Sequence, residues 1–280
     1  MKKQLIVFIS ILFICPFGYA AQLALVIDDF GYRLHNEEQV IALSPNITIA
    51  VLPNAPNAKK MAHLAHDNGN DVIVHLPMAP FGKQPLEVDT LKPDMTQDEI
   101  TRIVAESLQK VPYAIGINNH MGSLMTSDLE GMKKVMQALQ KYDLFFVDSF
   151  TIATSKGQQV AKEYGIPTIK RDVFLDDSQQ ESDIAHQFDL AIAKARKQGY
   201  AVAIGHPYSN TVKVLNDKLA HLPNDIELVK VSSLIDPKPK SEPKPEQEPE
   251  SNPKQNDYFN DVFNHFKDKL GKGCLFFLCD

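Results

Sequence analysis

The stretch Leu23-Ala-Leu-Val-Ile-Asp-Asp-Phe-Gly31 constrains this chain most, because a run of branched apolar residues ends in two adjacent carboxylates. The apolar part predicts a buried strand, and a buried carboxylate is costly unless it meets water, a proton or a cation. Side chains alternate along a strand, so Asp28 and Asp29 are expected to diverge, one to hold a metal and one to move a proton. A polar turn explains the same dipeptide equally well.

Short apolar runs recur along the chain with helical patterns between them, which predicts a parallel sheet covered by helices. Further strands are expected at 47–52, 71–76, 113–118, 144–148, 167–170, 200–204 and 226–231. Capping-box patterns, in which Ser or Thr precedes Glu by three residues, predict helix starts at Thr96, Ser127 and Ser178. This pattern suits either a barrel or a doubly wound sheet.

Length and composition limit the possible functions. The 280 residues fit one large domain or two small ones, and a content of 44% hydrophobic and 23% charged residues is typical of a soluble globular protein. The formal net charge is −6 and no basic block stands out, so no nucleic-acid partner is expected. The cysteines are Cys15, Cys274 and Cys279, which predicts a core without a disulfide framework.

The N-terminus is typical of an export signal. Lys2 and Lys3 precede an apolar run over 5–17, and small residues follow before an expected cleavage near Ala20 or Ala21. We therefore expect a signal peptide over 1–21 and a periplasmic or secreted protein. An uncleaved anchor is the alternative, although the run is short for spanning a bilayer.

The C-terminal part differs from the α/β body, which is expected over 22–235. Six prolines between Pro237 and Pro253, interleaved with Lys, Glu and Ser, predict an extended linker over 236–256. Beyond it, apolar residues at helical spacing predict an amphipathic tail over 257–280. This tail could meet a membrane or a protein partner, or pack on its own domain.

Polar residues end most of the predicted strands, and binding sites in parallel α/β sheets form at those ends. Asp29, His75 and His120 suit a divalent metal ion with open coordination positions, because imidazoles and a carboxylate bind zinc and can bind iron, manganese or cobalt. Each histidine alone is also explained as a packed core or loop residue. The other histidines fall on predicted helices, loops or the tail and are interpreted as solvated or structural: His35, His63, His66, His186, His221 and His265.

Several of these segments resemble one enzyme family. Asp28-Asp-Phe-Gly31 resembles the opening motif of the polysaccharide deacetylases, the NodB-homology superfamily. A wider set of segments is similar to the divergent polysaccharide deacetylase branch, over about 22–234: Asn118-Asn-His-Met-Gly-Ser123, Phe146-Val-Asp-Ser149, Arg171-Asp-Val-Phe174 and Ala203-Ile-Gly-His-Pro207. The resemblance implies an α/β fold that forms a distorted, incomplete (β/α) barrel of about seven parallel strands.

The resemblance also implies roles for individual residues. Asp29 matches the metal-binding aspartate, Asp28 the general base and His206 the late histidine that acts as general acid. His75 matches the histidine after the third strand. Met78 and Ala79 lie where the family has its second metal histidine, so His120 would have to replace that ligand from the next strand.

Four more residues are expected to orient the substrate or support the site: Asn119, Asp148, Arg171 and Asp172. Of these, Asp148 and Arg171 are expected to pair, because a guanidinium and a carboxylate form strong charged hydrogen bonds.

The expected function is that of an exported metal-dependent hydrolase, with zinc as its ion, which removes N-acetyl groups from an envelope or other polysaccharide. Its expected partner is therefore a polysaccharide or oligosaccharide substrate. The alternative is a non-catalytic periplasmic protein that binds a glycan or a protein on a deacetylase fold. A periplasmic solute-binding protein would need two comparable lobes, and the pattern predicts one continuous α/β body.

Overall fold

The structure is a computed structural model that describes residues 20–235. The predicted linker over 236–256 and the tail over 257–280 lie outside these residues, as does the predicted signal peptide except for its last two positions. Among the described helices, none has the length and apolar character needed to cross a membrane.

The described part of the chain contains nine strands and eight helices, which alternate over most of its length. The strands are β1 (Ala21–Phe30), β2 (Thr48–Val51), β3 (Asp71–Met78), β4 (Ala114–Met121), β5 (Phe145–Asp148), β6 (Thr168–Lys170), β7 (Val173–Phe174), β8 (Tyr200–Gly205) and β9 (Ile226–Val229). The helices are α1 (Leu34–Leu43), α2 (Ala58–Asp67), α3 (Gln97–Lys110), α4 (Ser123–Ser127), α5 (Leu129–Leu139), α6 (Gly157–Glu163), α7 (Glu181–Gln198) and α8 (Ser209–Ala220). A short 3₁₀ helix over Val231–Leu234 ends the body.

All strand pairs are parallel, and the sheet order is β6-β5-β4-β3-β2-β1-β8-β7. Strand β9 pairs with the first residues of β1. Within residues 20–235 no pairing joins β6 to β7, so the sheet curls into an incomplete barrel. This confirms the expected distorted (β/α) barrel. Strand β7 and helices α1 and α4 were not predicted.

Both faces of the central strand β1 are buried, as its continuous apolar run predicts. Leu23, Leu25 and Ile27 pack against the surrounding helices. Ala24 and Val26 point the other way, into a smaller apolar cluster in the barrel interior. This alternation assigns the positions on β1 before the register shift that follows Ile27 to the helix side or the interior side.

Of the three predicted capping boxes, only the one at Thr96 forms. Its hydroxyl accepts the Glu99 N–H, and the Glu99 carboxylate accepts the Thr96 N–H in return. The box at Ser127 is wrong, because Asp128 caps α5 by accepting the Gly131 N–H.

The box at Ser178 is also wrong. Helix α7 begins after Gln180, which gives it no side-chain cap. The Ser178 hydroxyl donates to the carboxylate of Asp183, 2.6 Å away, and accepts the N–H of Gln180, which precedes the helix, rather than an N–H of its first turn.

We expect Thr96→Ala to lower the free energy of unfolding by about 1 kcal/mol, because it leaves helical N–H groups without their cap. Urea unfolding followed by circular dichroism measures this loss. Ser178→Ala is the matched control and is expected to change stability by less than about 0.5 kcal/mol. Equal losses in the two variants would contradict the difference between these helix starts.

Candidate functional site

Alternation along the strands places a series of polar side chains inside one end of the barrel. Val26 on β1 and Ile73 on β3 line the interior, and the next residues on the same faces are Asp28 and His75. Strand β4 continues the series in register, since His75 pairs with Asn118. The polar side chains therefore converge at the carboxyl ends of the strands.

Asp29 departs from this alternation. Its φ is 60°, in the left-handed region, and the pairing of β1 with β2 shifts register between Ile27 and Phe30. The Asp29 Oδ1 atom lies 3.3 Å from the His75 Nε2 atom, and Asp28 Oδ2 lies 3.7 Å from the same nitrogen. The predicted divergence is therefore wrong, because the left-handed backbone turns Asp29 toward the same histidine.

Asp29, His75 and His120 bring three ligand atoms together. Asp29 Oδ1 lies 3.0 Å from His120 Nδ1, which is 3.1 Å from His75 Nε2. Among the described residues, this is the one group of His, Cys, Asp and Glu that could hold a metal ion.

The surroundings of the Asp29 Oδ1 atom indicate whether a metal ion fits this group. The atom is buried and faces two ring nitrogens, yet it has no well-aligned hydrogen bond. Tetrahedral zinc ligands with bonds of about 2.0–2.1 Å stand about 3.3 Å from one another. The three observed separations are close to that value, so the donor set fits a small divalent cation.

Asn118 links this metal-binding group to Asp28. It is fully buried, its Oδ1 lies 2.7 Å from His75 Nδ1, and its Nδ2 donates to Asp28 Oδ1 at 2.8 Å. When the Nδ1–H of His75 donates to this amide oxygen, the Nε2 lone pair is left free for a cation. From the sequence, Asn119 was expected to support the site. The alternation of side chains along β4 would instead have selected Asn118.

The surroundings raise the pKa of two groups in the cluster and lower that of a third. Burial raises the pKa of Asp28, and the nearby His75 only partly offsets this. Burial also acts to raise the pKa of Asp29, but contacts with His120 and His75 hold it well below the usual range. Burial acts to lower the pKa of His75, but the two aspartates raise it above its ordinary value.

His206 faces the cluster from the end of β8 and is held by Asp176. Its Nδ1 lies 2.9 Å from Asp176 Oδ1, and its Nε2 lies 3.9 Å from Asp29 Oδ2. The buried Asp176 also accepts the His206 N–H and the Thr211 hydroxyl. Burial lowers the pKa of His206, but the hydrogen bond and charge of Asp176 outweigh it and raise the pKa to about 9.

Asp176 was missed from the sequence. It follows the two-residue strand β7, which pairs only with β8 in the described structure and is too short to produce an alternating pattern. In addition, Asp177 follows Asp176 directly, and the sequence does not indicate which of the two carboxylates is buried.

Three of the predicted supporting residues bind backbone or loop groups rather than the cluster. Asn119 accepts the Ser149 N–H and donates to the Met121 carbonyl. Asp148 points to the helix side, where it accepts the Phe150 N–H, the Ser155 hydroxyl and the Gln158 N–H. The carboxylate of Asp172 accepts the Val202 N–H.

Arg171 does not pair with Asp148, so that prediction is wrong. Its guanidinium donates to the carbonyls of Ser149 and Phe150 and lies 4.9 Å from the ring centre of Phe174. These two bonds connect Arg171 to the backbone of the loop after β5, which they stabilise.

Most histidines interpreted as structural lie away from the cluster. His63 and His66 pack against the ring of Tyr113. His35 contacts Gln39 at the surface, and His221 contacts the Asp217 carbonyl. His265 is outside the described residues.

Comparisons with known proteins identify a family and a fold to which this chain is similar. A family model described as divergent polysaccharide deacetylase matches residues 25–235. The chain is 53% identical over 235 residues to the uncharacterized protein YibQ of Escherichia coli strain K12, covering 84% of this chain and 74% of that protein.

Solved structures show a related fold. The crystal structure of the uncharacterized protein ATU2773 from Agrobacterium tumefaciens C58 superposes with a TM-score of 0.72 at 22% identity, covering 77% of this chain and 89% of that one. A mutant of BA3943, described as a CE4 family pseudoenzyme with restored enzymatic activity, gives a TM-score of 0.51 at 14% identity, over 78% of this chain and 69% of that one. At these identities the similarity establishes the fold alone.

We expect the purified full-length chain to retain about one zinc ion per molecule after dialysis, measured by inductively coupled plasma mass spectrometry. Asp29→Ala and His120→Ala each remove a ligand and are expected to abolish this retention. His221→Ala is the matched control, because that side chain is 77% exposed. Metal absent from the wild type, or retained in both ligand variants, would contradict the assignment of this site.

Proposed function

This chain belongs to the divergent polysaccharide deacetylase family, and from that premise we propose that it is an exported, metal-dependent hydrolase that removes N-acetyl groups from an envelope or other polysaccharide. The observation that carries the proposal is the position of Asp28 and His206 beside the three ligand atoms. Export rests on the sequence of residues 1–21.

Asp29, His75 and His120 are the residues that would hold the ion, and their donor set suits zinc. When bound, such an ion supplies Lewis acidity toward an acyl oxygen and lowers the pKa of water. Three protein ligands are typical of catalytic zinc sites, which keep a position open for water or substrate.

Asp28 is placed to act as the general base. Asn118 holds its Oδ1 atom, while Oδ2 faces the metal-binding group. In the proposed reaction the Asp28 carboxylate takes one proton from water, and the water oxygen bonds to the acetyl carbonyl carbon. Burial raises the pKa of Asp28, which favours its holding that proton during the reaction.

His206 is placed to act as the general acid. Asp176 binds its Nδ1 atom, which leaves the Nε2–H directed at the cluster. As the bond between the acetyl carbon and the nitrogen breaks, this proton passes to the departing amine nitrogen. The products are acetate and a free amino group on the glycan.

One observation supports a second candidate function. Met78, fully buried and apolar, occupies the position at which the resemblance predicts the family's second metal histidine. We keep as the alternative a non-catalytic periplasmic protein that binds a glycan or a protein partner on a deacetylase fold. A solute-binding protein with two lobes receives no support, since residues 20–235 form a single sheet.

We expect the zinc-loaded full-length chain to release acetate from N-acetylated oligosaccharides, and Asp28→Asn to lower kcat by about 10²–10⁴-fold because the general base is lost. Zinc content should be unchanged, since Asp28 is not one of the proposed ligands. Asp217→Asn, at a side chain that is 73% exposed, is the control.

Hydrolysis that persists in Asp28→Asn would contradict its role as base. Stoichiometric zinc without acetate release from any glycan would instead favour the non-catalytic alternative.

Asp176→Asn is expected to move the alkaline limb of the pH–activity profile to lower pH. A general acid works only while protonated, so activity falls as pH rises through the pKa of His206, which Asp176 raises to about 9. Loss of the carboxylate charge should shift that limb by roughly one unit or more. Asp177→Asn, at the exposed neighbouring residue, is the control and should leave the profile in place.

A further inference from the structure

A stacked arginine stands beside His206. The Arg33 guanidinium carbon lies 5.0 Å from the ring centre of Tyr208, within the range of a cation–π contact. The Tyr208 ring centre lies in turn 5.4 Å from that of His206. The positive charge of Arg33 is therefore within the span of a short oligosaccharide from the proposed general acid.

Hydrogen bonds to a buried carboxylate stabilise the backbone of the loop that contains Arg33. Glu37 on α1 is fully buried, and its carboxylate accepts the N–H groups of Gly31, Tyr32 and Arg33. These bonds hold the loop that follows Asp29, and with it the backbone from which the Arg33 side chain extends.

Arg33 differs from the other three arginines, all of which lie within residues 20–235. Arg102 and Arg196 pair with carboxylates, and Arg171 donates to two carbonyls. For Arg33 the described structure shows only the face of Tyr208 as a side-chain partner. Arg33 is exposed to solvent, in a protein whose formal net charge is −6.

Arg33 and Tyr208 line a cavity of about 340 Å³ whose other lining residues are neutral and polar: Asn36, Gln179, Ser209 and Asn210. Three hydrogen bonds connect the segments that line it, one of them from Asn36 Nδ2 to the Ser209 hydroxyl. Asn36 Nδ2 donates to the Pro207 carbonyl at 2.9 Å, and Asn210 Nδ2 donates to the Gln179 carbonyl at 2.9 Å. The cavity thus offers one fixed positive charge among groups that can hydrogen-bond sugar hydroxyls.

We propose that Arg33, stacked on Tyr208, is a subsite for a carboxylate substituent, so that the preferred substrate is an acidic N-acetylated glycan. A guanidinium binds a carboxylate through two parallel hydrogen bonds, and stacking on an aromatic ring leaves that edge free. A single charge with neutral neighbours matches a monoanion better than a phosphate dianion. This inference rests on the proposed function, because it names the substrate class of the same site.

Binding of matched tetrasaccharides tests the subsite. One ligand contains only N-acetylglucosamine, the second carries a carboxyl group on alternate sugars, and the third is the methyl ester of the second. Isothermal titration uses the zinc-loaded full-length chain in the Asp28→Asn background, so that bound glycan is not consumed. We expect the acid to bind at least about 10-fold more tightly than its ester, an advantage that high salt weakens.

Arg33→Gln is expected to abolish the preference for the acid, and Arg33→Lys to retain part of it, because lysine keeps the charge but not the planar fork. Arg102→Gln, an arginine on the outer surface of α3, is the matched control and should keep the full preference. Circular dichroism confirms that each variant is folded.

Equal binding of acid and ester, or a preference that survives in Arg33→Gln, would overturn the subsite. Tighter binding of a phosphorylated tetrasaccharide than of the acid would overturn the carboxylate assignment. Acetate release is measured separately on the same ligands. If acetate is released but the preference for the acid does not depend on Arg33, the proposed hydrolase function is supported and the subsite is rejected. If the preference for the acid depends on Arg33 but no acetate is released, the subsite is supported and the hydrolase function is rejected.

Discussion

The burial of two neighbouring carboxylates at the end of β1 is the constraint on which the site depends. Asp28 is nearly inaccessible to solvent, and Asp29 Oδ1 is buried without a well-aligned hydrogen bond. Charges in such a place need a counter-charge or a cation. His75, His120 and His206 surround this pair and supply what the carboxylates require.

The strand period explains much of what the sequence could predict. Apolar runs predicted eight of the nine strands, all except β7. The rule that sites form at strand ends selected the three histidines that the structure brings close to Asp29. Applied further, the same period separates Asn118, which faces the interior, from Asn119, which does not. It also places Asp148 on the helix side, opposite Val147 in the interior.

Other parts of the site depend on interactions that no local pattern encodes. The left-handed φ of Asp29 interrupts the alternation of side chains along β1. It occurs where the pairing of β1 with β2 shifts register. Asp176 contacts His206 from the segment that follows β7, and the two residues of β7 are held by pairing with β8. Glu37 is an acidic residue in a polar helical turn, yet it is fully buried because three backbone N–H groups converge on it.

The pairing of His206 with Asp176 bears on the choice between a hydrolase and a binding protein. Burying a carboxylate against an imidazolium carries a desolvation cost that their attraction offsets only with good geometry and further hydrogen bonds. Asp176 meets that condition by accepting from the His206 backbone and from Thr211 as well. A glycan can be bound by neutral amides and hydroxyls such as those around Arg33, which carry no such cost. His206 directs its Nε2 atom toward Asp29, 3.9 Å away in the proposed ligand group, while the Asp176 carboxylate favours its protonated form. A proton donor held at this position supports the proposed hydrolysis more than simple binding.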